Sequence, residues 1–227
     1  MKRYVLSASL VIAIFAMNPA EASDQRSPEI RAYSPIAEAA PTLAPFQHVR
    51  FCLRYPDECK AGSDTNSKVD ATAENIDLLK RVNHSVNNSI APRAKVYGSN
   101  LEDRWTIDPA SGDCNDYAVT KRHELVENGI PANALRLSVT MTPSGIGHLV
   151  LVVSMTNADV VLDNLTEVIR PWQETDYRWL KIQSAADPRY WKEISPVPNQ
   201  RISQAKRRVH TARRVDLAEF ERPDLSE

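Results

Sequence analysis

The sequence predicts an α+β domain with its helices packed on an antiparallel sheet, and two features of its patterning carry that expectation. In the first half, apolar residues recur at three- and four-residue spacing in two separate stretches. From Leu135 onward the pattern changes to short alternating or continuous apolar runs divided by turn residues. Two helices followed by consecutive strands make one layered domain. The chain has 227 residues, 42% hydrophobic and 25% charged, which is long enough for one substantial core.

The chain opens with Lys2 and Arg3, an apolar run from Val5 to Ala16, then Pro19 and the small-x-small sequence Ala20-Glu21-Ala22. Those three parts make residues 1–22 a signal peptide, with Ser23 the first residue of the exported protein. The run is shorter than the roughly 20 residues a membrane span needs, and no later run is longer, so no transmembrane anchor is expected after cleavage. The expected compartment is the periplasm or the exterior. Residues 23–45, with Pro28, Pro35, Pro41 and Pro45, read as a flexible lead-in. A domain is expected over 46–198.

Cys52 and Cys59 stand close together around Pro56, and Cys114 is the third cysteine. In an oxidising compartment the near pair is expected to form the disulfide, leaving Cys114 reactive or joined to another chain. Pairing Cys114 with either of the others would close a long loop. No second Cys or His pair at ligand spacing suggests zinc.

The first helix is expected over 71–90, on the stripe Ile76, Leu79, Val82, Val86 and Ile90, with Pro92 ending it. Asn83 and Asn87 lie along its edge, where a solvated flank is the plainer reading and support of a site the other. The second helix is expected from Cys114 to Glu127, capped by Ser111-Gly112-Asp113 and stopped by Gly129 and Pro131. Strands follow at Leu135–Met141, His148–Met155, Val160–Asp163 and Trp179–Gln183. Residues 199–227 form a polar tail whose Arg201, Lys206, Arg207, Arg208, Arg213 and Arg214 make a basic segment. It could meet anionic lipid or a partner, and a solvated tail is the simpler reading.

Formal charge is −1, and removing Lys2, Arg3 and Glu21 (a net +1) makes it −2. A nucleic-acid partner is therefore not expected.

Cys114 is the candidate nucleophile. A thiol attacks only as thiolate, and the unpaired N–H groups of a first helical turn favour negative charge there and can hold an oxyanion. A buried apolar cysteine would fit poorly between Asp113 and Asn115. Of the five histidines, His48 adjoins the cysteine pair, His84 lies on the first helix, His123 sits nine residues beyond Cys114, and His210 falls in the tail. His148 instead opens an apolar strand after the loop Ser144-Gly145-Ile146-Gly147, and is the candidate base, against the structural role a strand histidine more often has. Asp163, ending Val160-Val161-Leu162, is the candidate acceptor for its second nitrogen. A hairpin centred at 157–158 sets Asp163 across from about residue 152, on the face of His148, so a bulge or bend is expected to close the remaining gap. Asp113, Asn115 and Asp116 offer either oxygen ligands for calcium or a helix cap, and the cap accounts for Asp113 without a metal.

Trp105, Gly112-Asp113-Cys114-Asn115-Asp116-Tyr117-Ala118, Gly147-His148-Leu149-Val150-Leu151-Val152 and Val161-Leu162-Asp163-Asn164-Leu165 together resemble the bacterial transglutaminase-like cysteine peptidases. The resemblance runs from about Phe46 to Trp191, including the paired-cysteine segment and Asp-Pro-x-x-Trp. It implies a papain-like fold of the transglutaminase type, the triad Cys114, His148 and Asp163, and a periplasmic site of action. The family includes the Lap-type proteases that release surface adhesins, so a protein or peptide substrate, such as a cell-surface protein, is implied. Those relatives bind calcium through acids flanking the cysteine. Asp113 matches that pattern, and Asn115 stands where the second acid is expected.

The leading reading is a cysteine peptidase with no required cofactor, working through an acyl-enzyme, with Trp105 either an extra oxyanion donor or a packed aromatic. One alternative is acyl transfer or deamidation on glutamine by the same triad. The other is a catalytically idle periplasmic binding module, against which the intact Cys, His and Asp argue.

Overall fold

A computed structural model describes residues 33–61, 68–93 and 104–195. The expected signal peptide and basic tail, with His210, lie outside those residues.

Helix α1 (Phe46–Arg54) leads into a short 3-10 turn at Pro56–Cys59. Helix α2 (Ala73–Ser89) starts where Thr72 Oγ1 accepts the Asn75 N–H at 3.2 Å, and helix α3 runs from Cys114 to Glu127. The strands are β1 (Glu38–Thr42), β2 (Ala91–Pro92), β3 (Ser111–Gly112), β4 (Leu135–Met141), β5 (Gly147–Ser154), β6 (Asp159–Leu162), β7 (Arg170–Pro171), β8 (Arg178–Gln183) and β9 (Trp191–Ile194). Among the described residues, seven strands form one antiparallel sheet in the order β1-β9-β8-β4-β5-β6-β7, and β2 and β3 form a small parallel pair. The fold is α+β.

Strand alternation gives the sheet two apolar faces. Leu149, Leu151 and Val153 of β5 join Leu79, Val82 and Val86 of α2 and Tyr117, Ala118 and Leu125 of α3 in the larger core. Val150 and Val152 point the other way, into a smaller core with Ile36, Trp172, Trp179 and Ile182. Burial on both faces explains why β5 reads as a continuous apolar run rather than an alternating one.

The chain joins the sheet earlier than its composition suggests. Instead of a lead-in reaching residue 45, Glu38–Thr42 forms edge strand β1 on β9, and Ile36 is buried. The physical reason is long-range. The buried Arg136 guanidinium bonds Glu38 Oε1 at 2.7 Å, and Asp159 Oδ2 accepts both Arg136 (3.2 Å) and the Ile36 N–H (2.8 Å). Pro41 is tolerated in β1 because an edge strand need not donate from every residue.

Cys52 and Cys59 are joined, with 5.5 Å between their Cα atoms. The disulfide ties the end of α1 to the turn that carries Glu58. Glu58 in turn holds buried Arg122 of α3 at 2.7 Å and His123 at 2.6 Å. The segment that reads as a loop in sequence thus braces the helix that begins with Cys114.

Candidate active site

Cys114 is the first residue of α3, half-buried and outside the disulfide. The turn that presents it is a capping box. Asp113 Oδ1 accepts the Asn115 N–H at 2.9 Å, and Asp116 Oδ2 accepts the Asp113 N–H at 3.0 Å. Asp116 is buried, and its other oxygen takes the Thr106 N–H at 2.8 Å. Burial pushes its carboxyl up to about 6, although those two N–H groups and Arg93 oppose the shift. Gly112 is required here by space. A Cβ at that position would lie 2.5 Å from Asp116 Oδ2, so glycine lets the carboxylate fold back under the helix start.

His148, the second residue of β5, is buried. Its Nε2 lies 2.8 Å from Asp163 Oδ1, and Cys114 is near enough to act electrostatically on the ring. With Nε2 on the carboxylate, Nδ1 is the nitrogen left to the sulfur. Burial disfavours the imidazolium, but the Asp163 contact and the nearby Cys114 outweigh it, raising His148 to about 9.

Asp163 reaches His148 through the strand register. The expected bulge is absent from the β5–β6 pairing, because the turn is centred one residue earlier than the sequence suggests. Ser154 faces Asp159 and Leu151 faces Leu162. Continued by one step, that register sets Asp163 across from Val150, two residues from His148 on the same face and within diagonal reach. Burial works to raise the Asp163 carboxyl, but His148, the Tyr177 hydroxyl and the Leu165 N–H hold it below the usual carboxylate range.

Asn83 and Asn87 are part of this arrangement rather than a solvated flank. Asn83 is fully buried; its Oδ1 accepts the Asp163 N–H at 3.2 Å and its amide donates to the Thr166 and Glu167 carbonyls. Asn87 donates to the Asp163 carbonyl and to Glu167 Oε1, both at 3.1 Å. The loop they hold is some eighty positions away in sequence, so it gives the helix pattern no sign of itself. Sequence reasoning also missed Tyr177, which donates to Asp163 Oδ2 and sets its ring edge-on to His148, 5.4 Å between centroids. A tyrosine in a polar loop gives no such signal in one sequence.

Trp105 is buried against His48 and Phe51, at 5.7 and 6.2 Å between ring centroids, and its Nε1 has no hydrogen-bond partner among the described residues. His48 brings a ring nitrogen near both bridged sulfurs. Those sulfurs are spent on each other, and the ring faces two donors, Trp191 Nε1 at 3.3 Å and Gln183 Nε2 at 3.0 Å. Burial, then Arg122, lowers His48 to about 4, so it stays neutral. It is a packing residue.

Calcium takes six to eight oxygen ligands, and the side-chain oxygens beside Cys114 are those of Asp113, Asn115 and Asp116. Asp113 caps α3, both oxygens of Asp116 accept N–H groups, and buried Asn115 turns its Oδ1 to 3.9 Å from Cys114 Sγ. Among the described residues no group of three acids converges there.

No curated protein matches this chain. Among solved structures, the chain is similar to LapG of Legionella pneumophila in a calcium-bound form, an EGTA-treated form and a third structure, at 23% identity in each. TM-scores are 0.43, 0.43 and 0.44; the matches cover 50, 50 and 51% of this chain and 66, 64 and 66% of those, just under two thirds of their length. Residues 38–198 match the family described as bacterial transglutaminase-like cysteine proteinase BTLCP. That span takes in most of the chain and every residue of the site above, and by it the protein belongs to the bacterial transglutaminase-like cysteine proteinases, hydrolases of the cysteine-peptidase class.

Proposed function

We propose that this peptidase cuts protein substrates outside the cytoplasm through a Cys114–His148–Asp163 triad and an acyl-enzyme. The observation that carries the reading is the arrangement at the start of α3: a half-buried thiol outside the disulfide, with buried His148 near enough to feel it and His148 Nε2 2.8 Å from a buried carboxylate.

In this reading the thiolate attacks the peptide carbonyl carbon, forming the C–S bond. N–H groups of the first turn of α3 hold the oxyanion, and Trp105 Nε1, unpaired among the described residues, is a further donor. As the intermediate collapses the C–N bond breaks, and imidazolium His148 gives its proton to the leaving amine. Neutral His148 then takes a proton from water. The hydroxyl adds to the thioester, the C–S bond breaks, and the carboxyl product leaves. Asp163 stays ionised and holds the ring. No step passes through a metal. Of the similar LapG structures, one is calcium-bound and one EGTA-treated. The signal-peptide pattern supports action in the periplasm or beyond, and a domain over 38–198 supports one catalytic unit with flanking segments.

The test is to incubate the chain from Ser23, beside Cys114→Ala, with mixed surface proteins and read products by mass spectrometry. New N-termini made only with Cys114 present are expected. Amine adducts or glutamine deamidation without cleavage would replace this reading with acyl transfer, and cleavage by Cys114→Ala would refute the triad.

A further inference from the structure

Asp163 offers two carboxylate oxygens, and among the described residues their partners are divided. Oδ1 meets His148 Nε2 at 2.8 Å and accepts the Leu165 N–H at 3.0 Å. Oδ2 accepts the hydroxyl of Tyr177, whose ring lies edge-on to His148 with 5.4 Å between centroids, inside the range of favourable aromatic pairs. One half-buried tyrosine thus touches both the acid and the base. Its place is set by the packing beneath it. Tyr177 lies against the smaller core. Two residues earlier, Thr175 Oγ1 donates to the Trp172 carbonyl at 2.8 Å and accepts the Trp179 indole N–H at 3.2 Å. Trp172 and Trp179 are buried, with their rings edge-on to each other. A hydroxyl carried on so well-held a segment is a prepared donor.

We propose that Tyr177 is a positioning residue for the triad: by donating to the far oxygen of Asp163 it takes up part of the carboxylate's charge, so that His148 gives up its proton more readily than it would without that donor. The reasoning is that the hydrogen bonds to one carboxylate compete. Asp163 leans least on the phenol while an imidazolium lies beside it, so the Tyr177 bond is stronger when His148 is neutral. By linkage, that bond favours the neutral ring. The consequence falls on the second half of the reaction, where a base that keeps its proton cannot accept one from water. Tyr177 remains a donor throughout, because burial and then Asp163 hold its own proton well above the usual phenol range, beyond the His148 midpoint of about 9. Of the other titratable and charged groups, Cys114 acts on His148 from α3, and Arg170 of β7 and Asp176 act on Tyr177. Glu167 is paired with His84 of α2, and Lys121 of α3, lowered by burial to about 7, is neutral where His148 titrates. The inference rests on reading His148 as the catalytic base.

The experiment follows the His148 ring by NMR in the chain from Ser23, labelled in histidine, across pH 5–11, with His148→Gln identifying its signal. Tyr177→Phe keeps the ring and removes the donor. The His148 midpoint is expected to rise by about half a pH unit or more, as for one modest hydrogen bond lost from its charged partner. A hydroxyl that only anchors Asp163 would, once removed, let the carboxylate turn away from His148, and the midpoint would fall. A fall, or no shift, overturns the proposal. If Tyr177→Phe does not fold, the unaltered chain decides, labelled at the tyrosine Cζ. Loss of the His148 proton must strengthen the Tyr177 bond, so the Tyr177 signal must move with the His148 midpoint; a signal that stays flat through that transition overturns the proposal. These measurements use no turnover, so the two readings can fail separately. Cleavage that survives Cys114→Ala would sink the triad without touching the His148 midpoints.

Discussion

Replacing Asp163 by Asn tests whether the His148–Asp163 contact is an ion pair across the neutral pH range. Both side chains are buried, 4% and 3% exposed, so water screens their attraction little. His148 holds its proton to about 9 against an ordinary value of 6.5. At about 1.4 kcal/mol for each pH unit, that corresponds to roughly 3 kcal/mol of folding stability. The sign follows from linkage. His148 is raised, so its contribution is complete below pH 6.5 and is lost as pH climbs through 9. Asp163 is lowered, so its contribution is complete above its ordinary 3.8 and is lost only as pH falls below that. The pair is therefore worth most between about pH 4 and 6.5. Asp163→Asn should cost about 3–5 kcal/mol there, as for a broken buried pair, and the gap to the unaltered protein should narrow by up to about 3 kcal/mol by pH 10. Urea unfolding of both proteins at pH 5.5, 7.5 and 9.5 measures this directly, and taking the difference cancels the other titrating groups. A gap that does not change with pH would mean that His148 is neutral in the folded protein, and the ion-pair reasoning would be wrong.

Three further perturbations probe the surroundings. Gly112→Ala forces a methyl against the buried Asp116 carboxylate 2.5 Å away. A loss of about 1–3 kcal/mol is expected from overpacking, with peptidase activity falling alongside; unchanged melting and activity would show that the capping box has room to give. Cys52→Ser opens a disulfide spanning seven positions and should cost about 2–3 kcal/mol. Urea unfolding with and without a thiol reductant checks it: the unaltered protein should move toward the variant on reduction and the variant should not move. Finally, with Asp113 Oδ1 and both oxygens of Asp116 engaged in N–H contacts at the start of α3, EGTA is expected to leave the cleavage rate within about twofold and added calcium to leave the melting temperature in place. A rise on adding calcium would mean that residues beyond the capping box complete a site.

Sequence alone delivered the elements whose signals are local. The bounds of α3 follow from Asp113 and Gly129, and β4 was legible from its alternation, because a cap or a period-two pattern is complete within a few residues. Strand β1 was not legible, since its reason for being a strand lies in β9, in Arg136 and in Asp159, all far along the chain. Helix α1 was hidden by its brevity between Pro45 and Pro56. At the site the same division holds. Cys114, His148 and Asp163 were nameable from their settings and from family motifs. The contact of His148 with Asp163 depended on a one-residue difference in where a turn is centred, which shifts strand pairing by two. The support around Asp163 was invisible for a different reason. Asn83 and Asn87 are polar residues on a helix, and polarity on a helix reads as exposure to water until the covering loop is placed.

The pairing of β1 with β9 has a mechanical consequence. Glu38 lies directly opposite Ile194 on an edge of the sheet, so the domain's first and last strands end side by side. A pull applied at those two points would load the ladder one rung at a time, as in opening a zipper, rather than sharing the load across every rung as in shear. The edge should therefore yield to small forces, with Arg136 and its two carboxylates the first firm resistance. The strands that carry His148 and Asp163 lie at least three positions further in, about 14 Å at 4.8 Å a strand. An enzyme held by its ends while it works on an anchored substrate would give way at the edge before its catalytic centre felt the strain.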